Sequence, residues 1–107
     1  MYSTPQNAVI TSLGVDSSLA DSASIVFKGF TKGVMLVPSG SSINTLTYYV
    51  SSTQGGTYIQ LYNSSGAVST TVAAGRAYPM PSEVEGAAFL KLVGNADGVV
   101  DLHLISS

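Results

Sequence analysis

The chain has no cysteine and no tryptophan, a single histidine, and few charges of either sign. Without cysteine it can form no disulfide, no thiolate metal site and no thiol nucleophile, although the absence fixes no redox compartment. Charged residues make up 9% of its 107 residues, against about a quarter in ordinary globular domains. Only Lys28, Lys32, Arg76 and Lys91 are basic and the net charge is −2, so the basic patch that nucleic acid needs is missing. No run approaches the roughly 18 apolar residues of a membrane span. The opening MYSTPQNAV has neither the basic start nor the apolar core of a signal peptide. The expectation is a protein made in a cytoplasm and then built into an assembly, with no nucleic-acid and no membrane partner.

What is present is apolar and hydroxyl-rich. Hydrophobic residues reach 45%, and Ser, Thr, Gly and Asn take the place of charges. A free monomer normally keeps a mixed-charge coat for solubility. This composition suits a domain held against other protein surfaces, or an exported one. A chain of this length forms one domain and buries roughly 60–65% of its unfolded surface. No internal repeat or linker divides it. Residues 1–7, polar and containing Pro5, read as an extended arm, and 8–107 as a single domain.

The strongest signal is GAAFLKLVGNADGVVDLHLI, residues 86–105. Ala88, Leu90 and Leu92 alternate with Phe89, Lys91 and Val93. Val100, Leu102 and Leu104 alternate with Asp101 and His103. Alternation of this kind marks strands with one wet face. The GNADG between them is turn chemistry, so the stretch predicts a β-hairpin. Further strands are expected at Ala8–Leu13, Ala23–Phe30, Val34–Val37 and Ile43–Ser52, then at Thr57–Tyr62 and Ala67–Val72. From Ile43 to Val72 these form a three-strand meander, with turns about every 8–12 residues. Ala73–Glu85, with Pro79 and Pro81, reads as an irregular connection in which Ser82–Glu85 can make one helical turn. The fold class is all-β: an antiparallel β-sandwich of about eight strands with short loops, jelly-roll connections being one order open to it.

Candidate chemistry is sparse. Asp101 and His103 share a strand face, but no G-x-S-x-G elbow supplies a nucleophile, and two polar residues are ordinary on an outer face. Asp97, Asp101 and His103 lack calcium-loop spacing, and Asp97-Gly98 is better read as a turn. Glu83 and Glu85 imitate a glycosidase pair without a cleft. Gly55-Gly56 lacks the lysine and helix of a phosphate loop. No catalytic residue, metal ligand or cofactor is expected. The oddity is six tyrosines without tryptophan, with Tyr58 and Tyr62 expected on one strand face. Exposed tyrosines mark interfaces and can stack on sugars, yet they are also common sheet residues.

The runs VPSGSSINTLTYYVSSTQGGTYIQLYNSSG and AAGRAYPMPSEVEGAAFLKLVGNADG, about half of the chain, resemble small β-sandwich proteins encoded among the virion genes of tailed bacteriophages. They are most like head decoration, or cement, proteins. Their motifs specify a fold family better than a task. The resemblance implies a non-enzymatic structural protein that binds the major capsid protein on the outer capsid surface and stabilises the shell. It also implies a homo-oligomer, trimer or dimer, on the particle. The interface residues expected are Tyr2, Tyr58, Tyr62, Arg76 and Tyr78. Arg76 is the only arginine and is able to grip a neighbouring carboxylate. The alternative is a carbohydrate-binding or adhesive module on the tail or head surface, which the missing tryptophan weakens.

Overall fold

The computed structural model describes residues 7–28, 30, 32–84 and 87–105. The expected arm therefore lies outside the described residues, apart from Asn7, which opens the first strand.

Period-2 patterning is realised in the long strands β1 (Asn7–Val15), β3 (Lys32–Val37) and β4 (Thr45–Ser51). It recurs in β10 (Phe89–Gly94) and β11 (Gly98–Ile105). Shorter strands are β2 (Ser24–Val26), β5 (Ile59–Gln60), β6 (Tyr62–Asn63), β7 (Gly66–Ala67), β8 (Ser69–Thr71) and β9 (Arg76–Pro79). Met35 and Val37, Leu46 and Tyr48, Leu90 and Leu92, and Val100, Leu102 and Leu104 are the buried members of their strands. Each such side chain contributes about 1.5–3 kcal/mol by leaving water, which is what holds the alternating strands face to face.

Two antiparallel sheets result. One runs β1-β11-β3-β9, the other β2-β10-β4 with β5 and β8 both against β4. Tyr49 pairs with Lys91 on one side and Gln60 on the other, and Leu46 pairs with Gly94 and Thr70. Hence β5 and β8 lie end to end along the same edge of β4. Leu61 donates its N–H to the Tyr48 carbonyl at 2.8 Å, and Val68 donates to the Leu61 carbonyl at 2.9 Å. The segment is thus one edge strand from which Tyr62–Ala67 loops out as a small hairpin, and the expected three-strand meander is absent. The cause is local: Ser65 donates its N–H to Asn63 Oδ1 at 2.8 Å and Gly66 takes φ 128°, closing a tight turn before a longer strand can extend.

With β5 and β8 counted as one strand and the looped-out hairpin set aside, the described residues form eight principal strands. They lie in the order first, eighth, third, sixth in one sheet and second, seventh, fourth, fifth in the other. That is the order of a jelly roll, two interlocked Greek keys. The sandwich is as expected, and its connections are now determined.

The closing hairpin is not. β10 and β11 belong to different sheets, and the GNADG segment crosses between them. The crossing is anchored to other connections. Gly94 donates its N–H to the Asp16 carbonyl at 3.0 Å, and Asn95 to that of Thr45 at 3.2 Å. Asn95 Oδ1 accepts the N–H groups of Asn44 and Thr45 at 2.7 and 3.0 Å. Two further expectations are revised. The strand at Ala23–Phe30 shrinks to β2, because Phe27 and Lys28 both direct their N–H groups to the Ala88 carbonyl. The connection Ala73–Glu85 contains β9, paired with β3 from Val34–Pro79 to Val37–Arg76. Pro79 is tolerated because β9 is an edge strand. The expected helical turn is present as a 3-10 turn at Ser82–Val84.

One hydrophobic core fills the space between the sheets. Tyr48 spans it: its hydroxyl lies 2.6 Å from Thr70 Oγ1 and donates to Met35 Sδ, on the opposite sheet, at 3.6 Å. Burial pushes this hydroxyl up to about 12, against the lowering effect of the Thr70 bond.

Candidate functional site

The register across the first sheet assigns its outward rows. Val9 faces His103, His103 faces Val34, and Val34 faces Pro79. One row along, Asp101 faces Leu36, which faces Ala77; on the other side Ile105 faces Lys32. These residues alternate with the buried Met35, Val37, Val100, Leu102 and Leu104, so they point away from the core. Val9 is 65% exposed and Val34 41%. The outer face is a largely apolar surface whose charged residues, among those named, are Lys32 and Asp101. An open depression of about 470 Å³ crosses one end, lined by Lys32, Val34, Pro79, Met80, His103 and Ile105. Its floor depends on Gly33, where a Cβ would come within 2.7 Å of Met80 Sδ and 2.8 Å of Leu104 Cδ2. Such a surface supports protein contact.

Two of the polar groups considered for catalysis or metal binding, Asp97 and Asp101, hold backbone in place. Asp101 Oδ1 accepts the N–H of Ser12 at 2.8 Å. Asp97 Oδ1 accepts the N–H of Ser17 at 3.1 Å and its hydroxyl at 3.3 Å. The Ser17 N–H holds the Asp97 carboxyl below the usual carboxylate range. Glu83 accepts from Asn63 Nδ2 at 2.9 Å, which lowers it likewise, and Glu85 lies outside the described residues. Among the described residues no three His, Asp or Glu side chains come close enough to share a metal ion. No helix among them is long and apolar enough to cross a membrane.

Of the five tyrosine and arginine positions, the four among the described residues are not gathered into one patch. Tyr2 lies outside the described residues. Tyr58 precedes β5 and is half-buried, with Lys91 Nζ 5.0 Å above its ring. Its hydroxyl is buried without a hydrogen-bond partner among the described residues. Tyr78 faces inward opposite Met35 and packs on the core. Tyr62 is 62% exposed on the looped-out hairpin, so it does not continue the face of Tyr58. Arg76 is exposed at the start of β9, where with Leu36, Pro38 and Asp101 it lines a depression of about 310 Å³. Sequence reasoning missed the row Val9–His103–Val34–Pro79. Its members come from four strands, and only the register brings them side by side.

No family model matches the chain, and no curated protein matches it in sequence. Among solved structures it is similar to the crystal structure of SPBc2 prophage-derived protein YomS. The match has a TM-score of 0.58 and spans 99% of this chain and 98% of that one. The likeness is one of fold. Sequence identity is 16%.

Proposed function

We propose that this protein is a non-enzymatic structural component of a phage virion. In this reading it is a decoration, or cement, protein that sits on the outer capsid surface, binds the major capsid protein and stabilises the shell. The observation that carries the reading is the apolar outer face of the sheet β1-β11-β3-β9, a contact surface on a domain whose Asp97 and Asp101 carboxylates are engaged with its own backbone. The fold shared with a prophage-derived protein supports it, as does the resemblance of residues 37–66 and 73–98 to phage decoration proteins.

The area of the face bears on how such an attachment would work. Four strands about 4.8 Å apart and about six residues long present a flat area of roughly 400 Å². A standard interface buries about 800 Å² per partner. A single copy therefore binds weakly through this face, and stable attachment draws on linked copies.

Co-sedimentation with capsid shells lacking the protein tests the reading. Saturable binding at a fixed ratio to the major capsid protein is expected, and Val34→Glu, which places a charge in the outward row, should weaken it at least tenfold. Absence of saturable binding, or binding that Val34→Glu leaves untouched, would refute the assignment. The carbohydrate-binding alternative draws on Tyr62, exposed beside Asn63 in the looped-out hairpin. A glycan array on which the chain binds, and Tyr62→Ala does not, would favour it instead.

A further inference from the structure

The two sheets present four edges, and three are blunted. β2 is three residues long. β9 is four residues long, with Arg76 at one end and Pro79, which has no N–H, at the other. The β5–β8 edge is interrupted by the looped-out hairpin. Short strands, charges, prolines and interruptions are the usual means by which sheets avoid pairing with other chains.

The fourth edge lacks most of these devices. β1 has nine residues, NAVITSLGV, with no charge and no proline. Its register breaks between Ile10 and Leu13, and beyond the break the Gly14 carbonyl accepts the N–H of Ala23 at 3.1 Å. The stretch Asn7–Thr11 keeps its outer backbone groups free of any hydrogen bond among the described residues. Val9 is 65% exposed there, and Ile10, on the core side, is only half-buried.

We infer that a second copy of this chain pairs at this edge, β1 antiparallel to β1 about a two-fold axis, joining two four-stranded sheets into one of eight. Opposed residues must share a face, so the axis has to pass through a residue and not between two. Centring on Val9 uses the whole free stretch. Val9 then meets Val9 on the outer face, Ala8 meets Ile10 on the core side, and Asn7 meets Thr11. The occupant is a second copy because a two-fold sets each side chain near its own counterpart, where a charged strand would repel itself. The free stretch carries no charge, and pairing a small with a large side chain covers the half-exposed Ile10. This inference is independent of the capsid assignment and is tested on the isolated chain.

The measurement is sedimentation velocity over a dilution series, together with single-cysteine variants. The chain has no thiol of its own, so Val9→Cys introduces the only one. Opposed Cα atoms in such a pair lie about 4.5–5.5 Å apart, within disulfide range. A concentration-dependent dimer is expected, with Val9→Cys cross-linking on mild oxidation and Val34→Cys, two strands inward, not doing so. Val9→Lys should raise the dimer Kd at least tenfold while Val34→Lys leaves it unchanged. A chain that is monomeric at every dilution would overturn the inference, whether or not it binds a strand of another protein. So would a dimer that survives Val9→Lys, or one that cross-links through Val34→Cys.

Discussion

The carboxylate of Asp101 accepts the backbone N–H of Ser12 at 2.8 Å, and Ser12, though not a glycine, takes a positive φ of 54°. The two residues are 89 apart in the chain, on the paired strands β11 and β1. Ser12 lies in the register break between Ile10 and Leu13, so Asp101 supplies the bulge with the acceptor that the ladder no longer offers. Asp101, which the sequence offers only as one of two polar residues on an outer strand face, shapes the pairing of β1 with β11.

Removing that acceptor should be felt in stability. Asp101→Ala is expected to cost about 1–2 kcal/mol, from the lost charge-assisted bond and the left-handed residue it supports. Ser12→Gly, which relieves the positive φ, should recover a few tenths of a kcal/mol or more in that background. Urea denaturation of the two variants and their combination checks both signs.

Asn95 holds the crossing between the sheets. Its Oδ1 serves two N–H groups at the start of β4. Asn95→Ala should destabilise by about 2 kcal/mol, and Asn95→Asp, which keeps the acceptor, by well under half of that. The pair separates loss of the acceptor from loss of the amide, and denaturant midpoints measure it.

Two tyrosines should respond oppositely to loss of the hydroxyl. Tyr48 has both Thr70 and Met35 as partners, so Tyr48→Phe should cost about 1 kcal/mol. The Tyr58 hydroxyl is buried without a partner among the described residues, so Tyr58→Phe should be neutral or stabilising by up to about 1 kcal/mol. The Lys91 contact needs only the ring and should survive. Thermal melts of the two single variants are the comparison.

Acid should weaken the fold through Asp97. Its carboxyl is held below the ordinary value of 3.8, chiefly by the Ser17 N–H, and Glu83 is lowered in the same direction by Asn63. A carboxyl depressed in the folded state stabilises it above the unfolded-state pKa, and that contribution fades as pH falls through the folded-state value. Stability should therefore decline as pH falls through and below the ordinary carboxylate range. Asp97→Asn keeps an oxygen for Ser17 but cannot titrate, so its decline should be shallower. Equal slopes for the two proteins would refute this role for Asp97.

Much of the architecture is a local property of the chain. Alternation in INTLTYYVSS, FLKLVG and GVVDLHLI places Leu46, Tyr48, Leu90, Leu92, Val100, Leu102 and Leu104 on buried faces, and all seven are buried. A side chain's face depends on its own strand's two-residue repeat, so it is legible without knowing the neighbours. The low charge likewise foretells a domain whose outer surface includes apolar rows. Pairing is different. Whether β11 lies beside β10 or in the opposite sheet depends on bonds such as Asn95 to Asn44, 51 residues away, and no local repeat encodes them. The same holds for the outward row Val9–His103–Val34–Pro79, which exists only once four strands are in register, and for the free edge at β1, which is an edge only because β11 has taken its other side. Side-chain period chose the faces; long-range hydrogen bonding chose the neighbours, and with them the surfaces left for other molecules.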